Sequence, residues 1–130
     1  MSKSPVYLDY AASTPVDPRI WDRMREVSDM TCANPSSTHA AGRLAQEIIA
    51  NAAGQLAGLL NTQPDRLIWT SGATESDNLA IAGGARYRAH RGKHLVTMKT
   101  EHKAVTDAFE ALAKEGFEVT WVDPDANGVL

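Results

Sequence analysis

The stretch Leu67-Ile68-Trp69-Thr70-Ser71-Gly72-Ala73-Thr74-Glu75-Ser76-Asp77-Asn78 constrains this chain more than any other. Leu67 to Thr70 is short, apolar and β-prone, which predicts a strand. Ser71-Gly72-Ala73 is a turn of small residues. Glu75 and Asp77 then fall in the first turn of a helix, where the helix dipole favours carboxylates. A strand feeding a helix through such a turn leaves several backbone N–H groups unpaired at the helix start. Those groups, with the hydroxyls of Ser71 and Thr74, make a seat for a phosphate. The same pattern also fits a plain strand-to-helix connection, and the residues of the turn alone leave both readings open.

Downstream, the helix is expected to run to about His90 and stop at Gly92. Gly83-Gly84 inside it costs about 1 kcal/mol per glycine against alanine, which marks close packing. His94 to Thr100 predicts a second strand around Leu95, Val96 and Met98. A helix from about Ala104 to Glu115 follows, with Val105, Ala108, Phe109 and Leu112 inward and Gly116 at its end. Phe117 to Val122 predicts a third strand. The order strand-helix-strand-helix-strand argues for an α/β layer with a mostly parallel sheet. In such sheets ligands gather at the carboxyl ends of the strands. Two polar clusters fall there: Ser71 to Thr74, and Thr100-Glu101-His102-Lys103. The first offers donors and the second an imidazole, a pair that suits a phosphorylated aromatic cofactor. As a lone residue, His102 also reads as an ordinary surface histidine at a strand end.

Upstream, Val6 to Tyr10 is a short β-like segment and Ala11 to Pro15 a loop of small residues. Asp17 is a helix N-cap with Pro18 at the first helical position. That helix runs to about Thr31, with Ile20, Met24, Val27 and Met30 at helical spacing. Cys32 to Ser37 breaks it, and Ser37 or Thr38 caps a second helix. Leu44, Ile48, Ala52, Leu56 and Leu59 make its apolar face, widened by Ile49 and Leu60. Asn61 suits its C-terminal end, and Gln63-Pro64-Asp65 is a turn.

Composition narrows the function classes. The 130 residues suit one domain, and 43% apolar with 22% charged residues is ordinary for a soluble globular protein. A net charge of −3 gives no case for nucleic acid. No run is long enough to span a membrane, and Met1 to Pro5 lacks the apolar core of a signal peptide, so a cytoplasmic location follows by default. Cys32 is the only cysteine, which excludes an internal disulfide and a cysteine metal cluster. His90 and His94 have a metal-like spacing, but Gly92 interrupts it, and no metal is expected there. Trp21, Trp69 and Trp121 read as core or interface residues. Asp123 to Gly128 is a turn, after which Val129-Leu130 begins another apolar segment; the chain looks cut rather than finished.

Four segments, in order, resemble one family. Thr70 to Ile81, TSGATESDNLAI, is similar to the cofactor-phosphate segment of the NifS/IscS-type cysteine desulfurases, pyridoxal-phosphate enzymes of aminotransferase class V. Tyr7 to Pro18 (YLDYAASTPVDP), Asn34 to Gly42 (NPSSTHAAG) and Lys99 to Val105 (KTEHKAV) agree with it, as does the following EGFEVT from Glu115. TSGATESDN favours this group over the related SufS-like branch. The fold that the resemblance implies is the N-terminal part of the aminotransferase-like large domain (pyridoxal-phosphate fold type I), with sheet order 3-2-4-5-6-7-1. Residues 1–15 would belong to the small-domain or active-site entrance side, and residues 16–130 to a partial cofactor-binding large domain.

The resemblance also implies roles. Ala73 and Thr74 would bind the phosphate of pyridoxal 5'-phosphate. His102 would stack on the cofactor ring and act catalytically in proton transfer. Ala11, Ala12 and Asn34 would lie near the substrate entrance. The reaction would take sulfur from L-cysteine, leave L-alanine and pass the sulfur to an iron–sulfur scaffold or another sulfur-acceptor protein, in a homodimer. The lysine that tethers the cofactor, the carboxylate that pairs with the pyridine nitrogen and the sulfur-carrying cysteine would all lie beyond Leu130. A chain of these residues alone is then expected to be inactive and loosely folded, with unpaired strand edges. Other expectations from the residues are a different class V enzyme, such as a selenocysteine lyase or an aminotransferase, and a non-catalytic fragment.

Overall fold

The structure, a computed structural model, describes residues 5–129. Nearly all of the Met1 to Pro5 segment, and the second residue of the expected apolar segment at Val129-Leu130, lie outside the described residues. The chain divides into two compact units, Met1–Leu67 and Ile68–Leu130.

In the first unit, α1 spans Pro18–Met30 and α2 spans Ala40–Leu59, followed by a single 3₁₀ turn, Pro64–Arg66. The Asp17 carboxylate accepts the Arg19 N–H at 2.8 Å and starts α1, as its sequence predicts. No residue of α1 is buried, and its apolar face of Ile20, Met24 and Met30 stands half exposed. The expected cap of α2 at Ser37 or Thr38 is instead His39, whose Nδ1 accepts the Gly42 N–H at 3.2 Å. The expected apolar face of α2 is also corrected. The buried residues are Gly42, Ala45, Ala53 and Ala57, while Leu44 and Ile48 are half-buried and Leu56 and Leu59 exposed. Asn61 ends the helix as predicted. It sits at φ 51°, and the Thr62 N–H returns to the Ala57 carbonyl at 2.9 Å. Val6 to Tyr10 forms no strand; the Ala12 and Ser13 N–H groups fold back onto the Asp9 carbonyl.

The second unit holds α3 (Ala73–Arg88), β1 (His94–Met98), α4 (Lys103–Lys114) and β2 (Glu118–Val122). β1 and β2 pair in parallel, from His94 opposite Glu118 to Met98 opposite Val122. That is the pairing of strands 2 and 3 in the sheet order implied above. The expected first strand, Leu67 to Thr70, is not one. A strand exists only through a partner's hydrogen bonds, and none of the described residues supplies them; Ile68 is 71% exposed. The close packing expected at Gly83-Gly84 is also missing, since a Cβ at either would meet no atom within 4 Å.

The core of this unit is Ala85, Leu112 and Phe117, with Ile81, Ala82, Ala89 and Leu95 packed against it. Gly116, at φ 90°, lets the chain leave α4 so that the Phe117 N–H reaches the Leu112 carbonyl at 3.1 Å. The same turn drops Phe117 onto Leu112. α4 runs back along β1 and β2, and α3 packs along α4 with Arg86 and Glu115 joining their C-terminal ends, so α3 and α4 both begin toward the carboxyl edge of the β1–β2 pair.

Candidate cofactor-binding site

The site is built on the first turn of α3. Gly72 is the N-cap residue and carries no side chain to cap the helix. Among the described residues, the N–H groups of Ala73, Thr74 and Glu75 find no acceptor, and the first turn of the helix therefore presents three free donors. The Thr74 hydroxyl stands beside them, while the Thr74 carbonyl accepts the Asn78 amide at 2.8 Å. This donor set is chemically suited to a phosphate: several N–H groups, the positive end of a helix and a hydroxyl.

Ser71 behaves differently from its sequence expectation. Its N–H and its hydroxyl both donate to Glu75 Oε2, at 2.7 and 2.6 Å. The one hydroxyl proton is thus committed within the turn, and Ser71 is not a free phosphate donor. The Ser71 hydroxyl, and secondly its N–H, hold the Glu75 carboxyl below the usual carboxylate range. The sequence signal for this bond was a serine four residues before a glutamate, one residue longer than the ordinary capping box.

His102 is the N-cap of α4, and its Nδ1 accepts the Ala104 N–H at 3.1 Å. The neutral ring then carries its proton on Nε2, a tautomer assigned from this bond. The capping role escaped the sequence reading because imidazole is not among the usual capping side chains. The lysines on either side are tied to carboxylates: Lys99 to Asp123 and Lys103 to Asp107, both at 2.8 Å. Asp107 raises the Lys103 amine above its ordinary range, the opposite of what a nucleophilic amine needs.

Ala73, Thr74 and His102 thus share the second unit and one edge of it. Ala11, Ala12 and Asn34 belong to the first unit. Ala12 lies in the turn closed on Asp9, and Asn34 Oδ1 accepts the Ser36 N–H at 2.8 Å. His90 and His94 form no pair, because His90 Nδ1 faces the Tyr87 carbonyl and His94 Nε2 faces the Thr120 hydroxyl. No group of three or more potential metal ligands occurs among the described residues.

Residues 6–130 match the model of the family described as aminotransferase class-V. The chain belongs to the aminotransferase class-V family. It is 52% identical over 131 residues to "Cysteine desulfurase IscS" of Pseudomonas fluorescens (strain Pf0-1), covering 98% of this chain and 32% of that protein. The protein of the same name from Azotobacter vinelandii is 50% identical with the same coverage. The chain thus spans about a third of the length of these curated relatives (32%). Among solved structures, "SspA in complex with cysteine" superposes with a TM-score of 0.85 at 39% identity, covering 95% of this chain and 36% of that one. A "NIFS-LIKE PROTEIN" gives 0.83 at 33% identity, covering 90% and 32%. Class V aminotransferases of the IscS and NifS kind are pyridoxal-phosphate dependent. The α/β fold with its small parallel sheet is part of their cofactor-binding domain.

Proposed function

We propose that this chain is the N-terminal portion of a cysteine desulfurase. It would take sulfur from L-cysteine, leave L-alanine and supply iron–sulfur cluster assembly or tRNA thiolation through a sulfur-acceptor protein, as a homodimer in the cytoplasm. The observation that carries this reading is the run of three free N–H donors at Ala73, Thr74 and Glu75, inside the TSGATESDN segment.

In this reading the Ala73 and Thr74 N–H groups and the Thr74 hydroxyl grip the cofactor phosphate. The grip fixes where the ring lies, at no cost in charged side chains. Pyridoxal 5'-phosphate, when bound, supplies an electron sink for the bonds around the substrate's α-carbon. His102 covers the ring face and orients it. With Nδ1 held by the Ala104 N–H, Nε2 is the atom that holds or hands over a proton. Ala11, Ala12 and Asn34 border the substrate entrance, with residues 1–15 on the small-domain side and 16–130 in the large domain. The tethering lysine and the sulfur-accepting cysteine would come from residues other than Lys99 and Lys103, which are bound to carboxylates.

The test is alanine release from L-cysteine with added pyridoxal 5'-phosphate. The 130-residue chain should give no alanine above its His102→Ala control. Residues 1–130, substituted for the matching third of an IscS relative, should restore alanine production to that relative. Activity from the 130 residues alone would overturn only their expected inactivity; a dead chimera that is folded and dimeric would sink the proposal.

A further inference from the structure

The free donors at the start of α3 are useful only if the turn before them holds still. The segment leading into it, Ile68 to Thr70, has no ladder among the described residues, and Gly72 contributes no capping side chain. Two side-chain clasps do the holding. Glu75 Oε2 takes both the N–H and the hydroxyl of Ser71. The Ser76 hydroxyl lies 2.7 Å from Thr70 Oγ1, which in turn reaches the Gly72 carbonyl at 3.3 Å. Glu75 is the stronger of the two, a charged acceptor with two short bonds to one residue.

We propose that Glu75 is a positioning residue for the phosphate seat. Acting through Ser71, it fixes the turn so that the Ala73 and Thr74 N–H groups face outward together. An ionised carboxylate is an acceptor only and repels a phosphate, so the Glu75 side chain cannot be a phosphate ligand. Its contribution is geometric: it satisfies Ser71 and leaves the next donors open. The assignment rests on the phosphate reading given above. A plain helix-stabilising role, a negative charge in the first turn, makes a different forecast. Charge is lost equally in Glu75→Gln and Glu75→Ala, whereas an acceptor oxygen survives in Glu75→Gln.

The test uses pyridoxine 5'-phosphate and pyridoxine as probes, which lack the aldehyde that would react with surface lysines. Dissociation constants for the chain and its variants are measured by equilibrium dialysis, and hydrogen exchange is followed at the Ser71 amide. The parent should prefer the phosphorylated probe. Glu75→Ala should weaken that probe about five- to tenfold, with pyridoxine unchanged and Ser71 exchange faster. Ser71→Ala, which keeps the N–H but loses the hydroxyl, should fall between. Glu75→Gln should stay within about twofold of the parent, since its amide oxygen can still accept. Parent-like binding by Glu75→Ala, or equal losses in both variants, would overturn the positioning role. If the parent itself shows no preference for the phosphorylated probe, the seat is wrong, and this assignment falls with it.

Discussion

Arg86 and Glu115 join the C-terminal ends of α3 and α4 through two bonds, Nε to Oε2 at 3.0 Å and Nη2 to Oε1 at 2.5 Å. The side-chain hydrogen bond from Arg86 holds the Glu115 carboxyl below its ordinary range. A carboxylate depressed in the folded state contributes stability above the unfolded value, about 4.3 for glutamate, and loses it as pH falls through the folded value. Glu115→Gln should therefore lower the melting temperature at pH 7 in dilute buffer. Both partners are well exposed, so the shift is small and should shrink with added salt and toward acid. Equal melting of parent and variant at low salt and pH 7 would show that the pair contributes nothing.

Leu112 is fully buried at the centre of the second unit. Truncation to alanine removes contacts with Ala85 and Phe117 and leaves a cavity. Leu112→Ala should cost about 3 kcal/mol, read from urea unfolding by circular dichroism. A loss under about 1 kcal/mol would mean that the site collapses around the gap.

His102 has two separable duties, and two substitutions part them. His102→Ala removes both the cap and the ring and should cost about 1 kcal/mol of stability. His102→Asn restores a capping oxygen without a ring. It should melt close to the parent yet bind pyridoxine 5'-phosphate as weakly as the alanine variant. Parent-like binding by His102→Asn would remove the ring-stacking role.

At Gly42 two effects compete. Helix propensity favours alanine over glycine by about 1 kcal/mol. An added Cβ, however, would run into the carbonyl and side chain of Ser37, with backbone among the atoms struck. Overpacking of this kind costs about 1–3 kcal/mol, so the clash wins. Gly42→Ala should destabilise the first unit, as measured by thermal melting; a stabilised variant would show that the Asn34 to Ser37 loop yields.

Local chemistry was legible in the sequence wherever one residue determines one turn. Asp17 and Pro18 start α1, Asn61 closes α2, and Gly116 closes α4, each through a backbone preference that needs no distant partner. Leu67 to Thr70 was not legible in that way: its β-propensity is plain, but a strand needs a neighbour. The face of α2 failed for a related reason. Leucines at helical spacing show what could be buried, while only the packing shows that Ala45, Ala53 and Ala57 are. At the candidate site, the small-residue turn into a helix pointed to free N–H groups at the helix start, while Ala73 and Thr74 were singled out by the family resemblance. The Ser71 bond to Glu75 left only a faint signal, a serine four residues before a glutamate, because it depends on rotamers; the histidine caps left none, because imidazole is seldom used for capping.

The β1–α4–β2 unit has a kinetic consequence. All of it lies between His94 and Val122, with the strands paired in register from one end to the other. The paired residues lie 24 positions apart, and closure entropy grows only slowly with loop length, so closing this loop costs modest entropy. Such a unit holds all of its own strand pairing and can form during synthesis once its residues have left the ribosome. His102 would then be set at the head of α4 before any segment made later could compete for that position.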